Sequence, residues 1–125
     1  MAELHVEVVS VEREVWSGDA VTVIARTTEG EVGILPGHAP LLGEIAEGST
    51  LRIMQAGGGE VLAAVHGGFL SVTDAGVTVL AEVAELASDI DADRARAALD
   101  RAKADADESA VRRAEGRLRA TGSLA

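Results

Sequence analysis

One stretch confines the backbone more than any other. Gly30-Glu31-Val32-Gly33-Ile34-Leu35-Pro36-Gly37-His38-Ala39-Pro40-Leu41-Leu42 carries both prolines of the chain and three of its fourteen glycines. The glycines open backbone angles closed to other residues, and each proline fixes its own φ and drives the preceding residue out of the helical region. These constraints predict a rigid, shaped loop between strands rather than a helix or a flexible linker. Val32, Ile34 and Leu35 are expected to anchor it from behind, with Leu41 and Leu42 buried after it. Chemistry alone also allows a tight corner in any all-β domain, so the rest of the chain has to decide.

From Leu4 to Leu80 apolar residues recur mainly at period 2, as in Leu4, Val6, Val8, in Val21, Val23 and in Leu51, Ile53, which is the pattern of half-buried strands. Val9 and Val11 break the phase set by Leu4 to Val8, and an inserted residue there predicts a bulge or a strand that passes between two packed sheets. Further strands are expected at Val32 to Leu35, Glu60 to His66, Gly68 to Thr73 and Val77 to Glu82. Gly57-Gly58-Gly59 and Asp74-Ala75-Gly76 read as hairpin connections, and Ser17-Gly18-Asp19 and Glu47-Gly48-Ser49 as punctuation between strands. Short strands at this rhythm predict a β-sandwich or flattened barrel, its core built from Val, Leu and Ile because Trp16 and Phe69 are the only aromatic residues.

Charge divides the chain. Residues 1–85 hold thirteen acidic and three basic residues, a balance of -10, whereas residues 86–125 hold eight of each. The shift predicts a β domain over 1–86 and a helical hairpin over 87–125. Asp91 is the expected N-cap of a first helix running to about Ala104, with Ala92, Ala95, Leu99 and Ala102 on one stripe. Asp107 or Ser109 would cap a second helix whose Val111, Ala114 and Leu118 face the first, with Gly122 just past its end. So few large side chains make the antiparallel pair marginal, and Gly116 removes a further ~1 kcal/mol of helix propensity. The hairpin should therefore depend on docking or on a ligand.

The acidic balance argues against nucleic acid, and the absence of cysteine excludes a disulfide scaffold and, with only three histidines, a structural metal site. No basic leader with an apolar core opens the sequence, and no apolar run nears the length of a membrane span, so a soluble cytoplasmic protein is expected. No nucleophile elbow, phosphate loop or metalloprotease pair is present, and no catalytic residue is assigned. His5 and His66 read as strand histidines; His38, inside the constrained loop, is expected to make contacts and hydrogen bonds. Among the arginines, Arg96, Arg112 and Arg119 have acids at helical spacing. Arg113 and Arg117 lie four apart with no acid three or four residues away, and Arg94 and Arg101 share a face of the first helix. Two readings follow: solvated surface charge, or a phosphate clamp assembled when the helices fold together.

The loop GEVGILPGHAPLL, with Val9-Ser10, Trp16-Ser17-Gly18, His66-Gly67-Gly68-Phe69 and Asp89-Ile90-Asp91 followed by Arg94-Ala95, resembles the epsilon subunit of rotary F-type ATP synthases over residues 3 to about 119. The resemblance implies an N-terminal β-sandwich followed by a C-terminal two-helix hairpin. It further implies a non-catalytic rotor subunit beside the γ subunit and the c-ring, peripheral at the cytoplasmic face of the plasma membrane. Such a subunit couples proton flow to ATP synthesis and, in many bacteria, restrains ATP hydrolysis when its helices extend and reach the α/β catalytic head transiently. On that likeness Glu31, Pro36, His38, Pro40 and Leu42 would meet the rotor. ATP, as a regulatory ligand and not a required cofactor, would bind through Glu85, Ile90, Asp91, Arg94, Arg101, Arg113 and Arg117. The carboxylates would serve the base or ribose and the arginines the phosphates. The second helix is short for a strongly inhibitory form. A free-standing ATP-binding regulator and a small enzyme of unknown type are the competing readings.

Overall fold

The computed structural model describes residues 2–124. Seven strands, β1 (Leu4–Ser10), β2 (Glu14–Thr27), β3 (Gly30–Ile34), β4 (Leu41–Ile45), β5 (Ser49–Gln55), β6 (Glu60–Thr73) and β7 (Gly76–Leu86), precede a 3-10 turn at Ala87–Asp89 and two helices, α1 (Ala92–Ala104) and α2 (Glu108–Ala120). The strand path β1-β7-β6-β5-β2 returns to β1, which closes a ring in which only β1 and β7 run parallel. β3 and β4 extend the wall along β2 and β6. The two fourteen-residue strands each take part in both layers of this flattened barrel, so they must bend.

The bends are written locally. The register of β1 against β2 slips between Val8 and Val9, at the break in alternation that the sequence displays. In β6, Gly67 and Gly68 take φ of +78° and +134°, and a Cβ on Gly68 would stand 2.1 Å from the Leu80 carbonyl oxygen. Only glycine allows that approach, so Glu60 to Thr73 is one bent strand instead of two separate ones. Val6, Val8, Val23, Ile34, Ile53, Leu70 and Val79 are fully buried and form the centre of the sandwich.

Three expectations are corrected. Ser17-Gly18-Asp19 does not punctuate; it lies inside β2, where the indole of Trp16 occupies the space that a Cβ on Gly18 would need, at 2.7 Å. The constrained stretch is loop only from 35 to 40, because Gly30 to Ile34 pairs with β2 and Leu41 to Ile45 pairs with β6. Strand alternation within β4 turns Leu42 outward, 72% exposed, and Leu35, one residue past β3, is 59% exposed; neither is an anchor.

The helices begin and end where capping chemistry places them. Asp91 accepts a hydrogen bond from the Arg94 amide at 3.1 Å, and Asp107 accepts one from the Ala110 amide at 3.1 Å. Ala95, Leu99, Ala114 and Leu118 join Ile90 and Val111 in a small second core. α2 also lies against β5 and β6. Its seat is a glycine pair: a Cβ on Gly116 would stand 2.7 Å from both Cα and O of Gly48, and one on Gly48 would stand 2.1 Å from the Arg112 carbonyl oxygen. Gly116 is thus a docking residue, whereas helix propensity alone makes it a defect. Gly48 itself sits at φ +76° in the β4–β5 turn.

Candidate functional site

The face of the sheet beneath α2 is polar where sandwich faces are normally solvated, and this decides the site. Ala64 pairs with Glu85 across β6 and β7, and His66 with Val83, which puts Ala64, His66 and Glu85 on the surface opposite the Val65 side of the core. Ala63, Ala64, Val65 and His66 are nonetheless all buried, because the core covers one face and α2 the other.

Two carboxylates of the sandwich reach into the hairpin. The first is Glu85. Its Oε1 accepts from His66 Nε2 at 2.9 Å and from Arg117 Nε at 2.6 Å. The hydrogen bond from His66, opposed by desolvation and reinforced by Arg117, holds the Glu85 carboxyl below its ordinary range. His66 is buried with its Nε2 facing the carboxylate, and its Nδ1 has no hydrogen-bond partner among the described residues. The second is Glu47. Ser109 donates to its Oε1, Arg113 Nη1 donates to its Oε2 at 3.1 Å and to Ser109 Oγ at 2.6 Å, and Arg112 approaches at 3.6 Å. The Ser109 bond is the main cause that lowers the Glu47 carboxyl, with Arg113 and Arg112 adding to it.

Arg113 and Arg117 are therefore not the unpaired like-charge pair that helical spacing describes. Arg113 meets Glu47 of the β4–β5 turn and Arg117 meets Glu85 of β7, each far away in sequence, where no i,i+4 rule can see it. Arg112 likewise turns to Glu47, and Arg96 donates to the Ser123 carbonyl at 3.4 Å.

Beside the Glu85 pair a cleft of about 380 Å³ opens between the 86–91 linker and the hairpin, lined by Glu85, Asp89, Ile90, Asp91, Arg94, Ala95, Ala98, Arg101 and Arg117. Six of the seven residues assigned to ATP come together here. Arg113 does not, because Glu47 and Ser109 hold it at the other end of α2. The volume falls within the usual range of small-molecule sites, and three guanidiniums above an Ile–Ala floor suit a phosphate-bearing ligand with an apolar base. The family resemblance marks the cleft through Ile90, Asp91 and Arg94; nothing local shows that Glu47, Ser109 and His66 take part in the contacts between hairpin and sandwich. Only the small pair Ala63-Ala64 ahead of a histidine in a Val/Leu-rich strand signals that a helix covers that face.

The residues assigned to the rotor lie elsewhere. Glu31 is exposed on β3 opposite Arg26, and Pro36, His38 and Pro40 form the 35–40 loop, where His38 Nδ1 donates to the Ala39 carbonyl at 2.7 Å. Leu42 and Glu44 share the outer face of β4, and Glu44 pairs with Phe69, which pairs with Leu80. Phe69 and Leu80 are 50% and 53% exposed and Val11 is 83% exposed; all three line one shallow recess of about 450 Å³ with Val9, Gly67 and Gly68. No helix among the described residues is long and apolar enough to cross a membrane.

Residues 3–87 match the family described as ATP synthase, Delta/Epsilon chain, beta-sandwich domain. Over 119 residues the chain is 56% identical to the ATP synthase epsilon chain of Streptomyces griseus, covering 95% of each, and over 120 residues it is 54% identical to that of Rhodococcus opacus, covering 96% of this chain and 97% of the relative. Among solved structures, a chain of the Euglena gracilis mitochondrial ATP synthase, determined as its OSCP/F1/c-ring assembly, superimposes with a TM-score of 0.75 at 26% identity, over 98% of this chain and 79% of that one.

Proposed function

We propose, because this chain belongs to the ATP synthase epsilon-chain family, that it is a non-catalytic subunit of the rotor's central stalk, joining the γ subunit to the c-ring at the cytoplasmic face of the bacterial membrane. The observation that carries this reading is the apolar outer face of the sandwich. Phe69 and Leu80 on the sheet, with Val11 in the β1–β2 turn, are large side chains left half or more exposed, and a patch of this kind marks a protein contact. It suits the γ subunit. The adjacent edge, with Glu31, the 35–40 loop and Leu42, offers a carboxylate and a stiff polar tip to the loops of the c-ring.

The test follows from exposure. Leu80→Glu places a charge where the side chain meets solvent in the free subunit, so the isolated protein should keep its melting temperature. A buried charge at the contact should prevent recovery of the variant with the purified synthase. Stoichiometric recovery of a folded Leu80→Glu subunit would reject this surface as the docking face.

A second reading concerns the cleft: it takes ATP as a regulatory ligand. Arg94, Arg101 and Arg117 would hold the phosphates, with Ile90, Ala95 and Ala98 against the base. ATP would then report the nucleotide state to the hairpin.

A further inference from the structure

Two carboxylate latches hold α2 to the sheet, Glu85 on Arg117 and Glu47 on Ser109 and Arg113. A third place where α2 meets the sandwich has the opposite charge. Ala25 pairs with Leu51 and both are buried in the core, so their chain neighbours Arg26 of β2 and Thr50 of β5 turn to the other face of the sheet. That is the face α2 covers, since Thr50 pairs with Ala64. There Arg26 comes together with Arg112 and Arg119 of α2 around a recess of about 230 Å³, which shares no lining residue with the cleft beside Glu85.

Arg26 is one of only three basic residues in the acidic 1–85 segment, and among the described residues no ion pair engages it. Glu47 and Glu115 also border the recess. Both oxygens of Glu47 already accept from Ser109 and Arg113, and Arg113 is not part of the lining, which leaves Glu115 against three guanidiniums. A guanidinium carries several N–H donors, so an acid on one edge, as Glu47 is to Arg112 at 3.6 Å, leaves others for a further acceptor.

We propose that this recess binds a small, multiply charged oxyanion, inorganic phosphate being the fitting case, which bridges Arg26 of the sandwich to Arg112 and Arg119 of α2. Guanidinium forks match the paired oxygens of such an anion, and Thr50 adds a hydroxyl donor. The volume lies below the roughly 300–1,000 Å³ of sites for larger ligands, so it suits an inorganic ion rather than a nucleotide. The three arginines come together only while α2 is seated. The anion therefore binds the docked hairpin and not the released one, and acts as a third latch that depends on a ligand.

Titration of the full chain with sodium phosphate, against sodium chloride at matched ionic strength, tests this. Phosphate should bind saturably at millimolar concentration and move the Nε–H resonances of Arg26 and Arg112, leaving those of Arg94 and Arg101 in place. At about ten times the dissociation constant, amide exchange in α2 should slow about elevenfold. Arg26→Gln, a change at an exposed strand position without an ion pair, should keep its melting temperature in phosphate-free buffer and bind phosphate about tenfold more weakly. Resonance changes confined to Arg94, Arg101 and Arg117 put the anion in the cleft and overturn the proposal. An equal response to chloride, which is screening and not a site, overturns it as well, as does unaltered phosphate binding by a folded Arg26→Gln chain. If tripolyphosphate moves the Arg26 resonance and phosphate does not, inorganic phosphate is the wrong ligand. The resonances are read in the wild-type chain, so they decide whatever the folding of the variant.

Discussion

The sandwich and the hairpin solve the problem of cohesion differently. In the sandwich, fully buried Val, Ile and Leu side chains meet across two layers, at roughly 1.5–3 kcal/mol each, and among the described residues the only buried polar ones are Ser49 and His66. The hairpin offers Ala95, Ala102, Ala114, Gly116 and Ala120 where the sandwich offers branched side chains, with Leu99 and Leu118 as its large buried pair. Its attachment depends on close backbone approach and on carboxylates of the sandwich. A unit held by bulk resists change, whereas one held by fit and charge can be released by small ones.

The largest effect is expected at the glycine seat. In a free helix Gly116→Ala would add ~1 kcal/mol of propensity, but here the new Cβ meets Gly48 backbone at 2.7 Å, and overpacking against backbone costs roughly 1–3 kcal/mol. The variant should keep or gain helix content while its hairpin undocks. Limited proteolysis between Leu86 and Asp91 should accelerate, and the unfolding transition of the sandwich should stay in place. A Gly116→Ala chain with a protected linker and a raised melting temperature would mean that the hairpin is not seated by fit.

Acid should separate the two regions with a smaller effect. Glu47 and Glu85 have carboxyls depressed below their ordinary value, chiefly by Ser109 and His66 respectively. A depressed folded-state value means that the stabilisation is complete above the ordinary carboxyl range and is lost as pH falls through the lower, folded one. The hairpin should therefore release on acidification before the sandwich unfolds, because the sandwich core buries no carboxylate. Dyes placed on Asp74→Cys and Asp105→Cys, in a chain with no other cysteine, should separate in that window. Coincident loss of energy transfer and of sheet structure would show the two regions to be one cooperative unit.

The same contrast explains what could be read from sequence. Period-2 alternation locates β1, β5 and β7 because each has one wet face, and the slip after Val8 marks a real change of register. Asp91, Asp107 and Gly122 mark helix ends because capping is local chemistry. Alternation could not place β4, hidden by prolines and by Leu42 on its outer face, nor show that α2 covers His66 and Ala64. Of the residues that line the cleft, Arg94 and Arg101 could be put on one face from helical spacing, whereas Ile90 and Asp91 were assigned to it only through the family resemblance. The latches were not legible, since Glu47 pairs with residues more than sixty positions away and Gly116 looks like a flaw until Gly48 is set against it.

The smallest prediction concerns the ends of the two helices, which are built alike with different residues. In α1 the Asp107 amide donates to the Ala102 carbonyl at 3.0 Å and the Ala106 amide to Lys103 at 3.2 Å; in α2 Ser123 donates to Leu118 at 2.8 Å and Gly122 to Arg119 at 3.0 Å. Both are the paired bonds that close a helix through a left-handed residue. That residue is Gly122 in α2, at φ +78°, but Ala106 in α1, at φ +53°. An alanine in this region carries roughly 1 kcal/mol of strain that glycine does not, and glycine's greater freedom in the unfolded chain returns part of the difference. Ala106→Gly should thus stabilise the hairpin by about 0.5 kcal/mol, the reverse in sign of adding a methyl at Gly116. Since Ala106 is exposed, little packing is lost. Amide hydrogen exchange in α1 and α2 should slow by about twofold, with the sheet unchanged. Faster exchange in Ala106→Gly would show that the stiffness of the α1–α2 turn matters more than its strain, and that the hairpin is held partly by its own connection and not only by its seat on the sandwich.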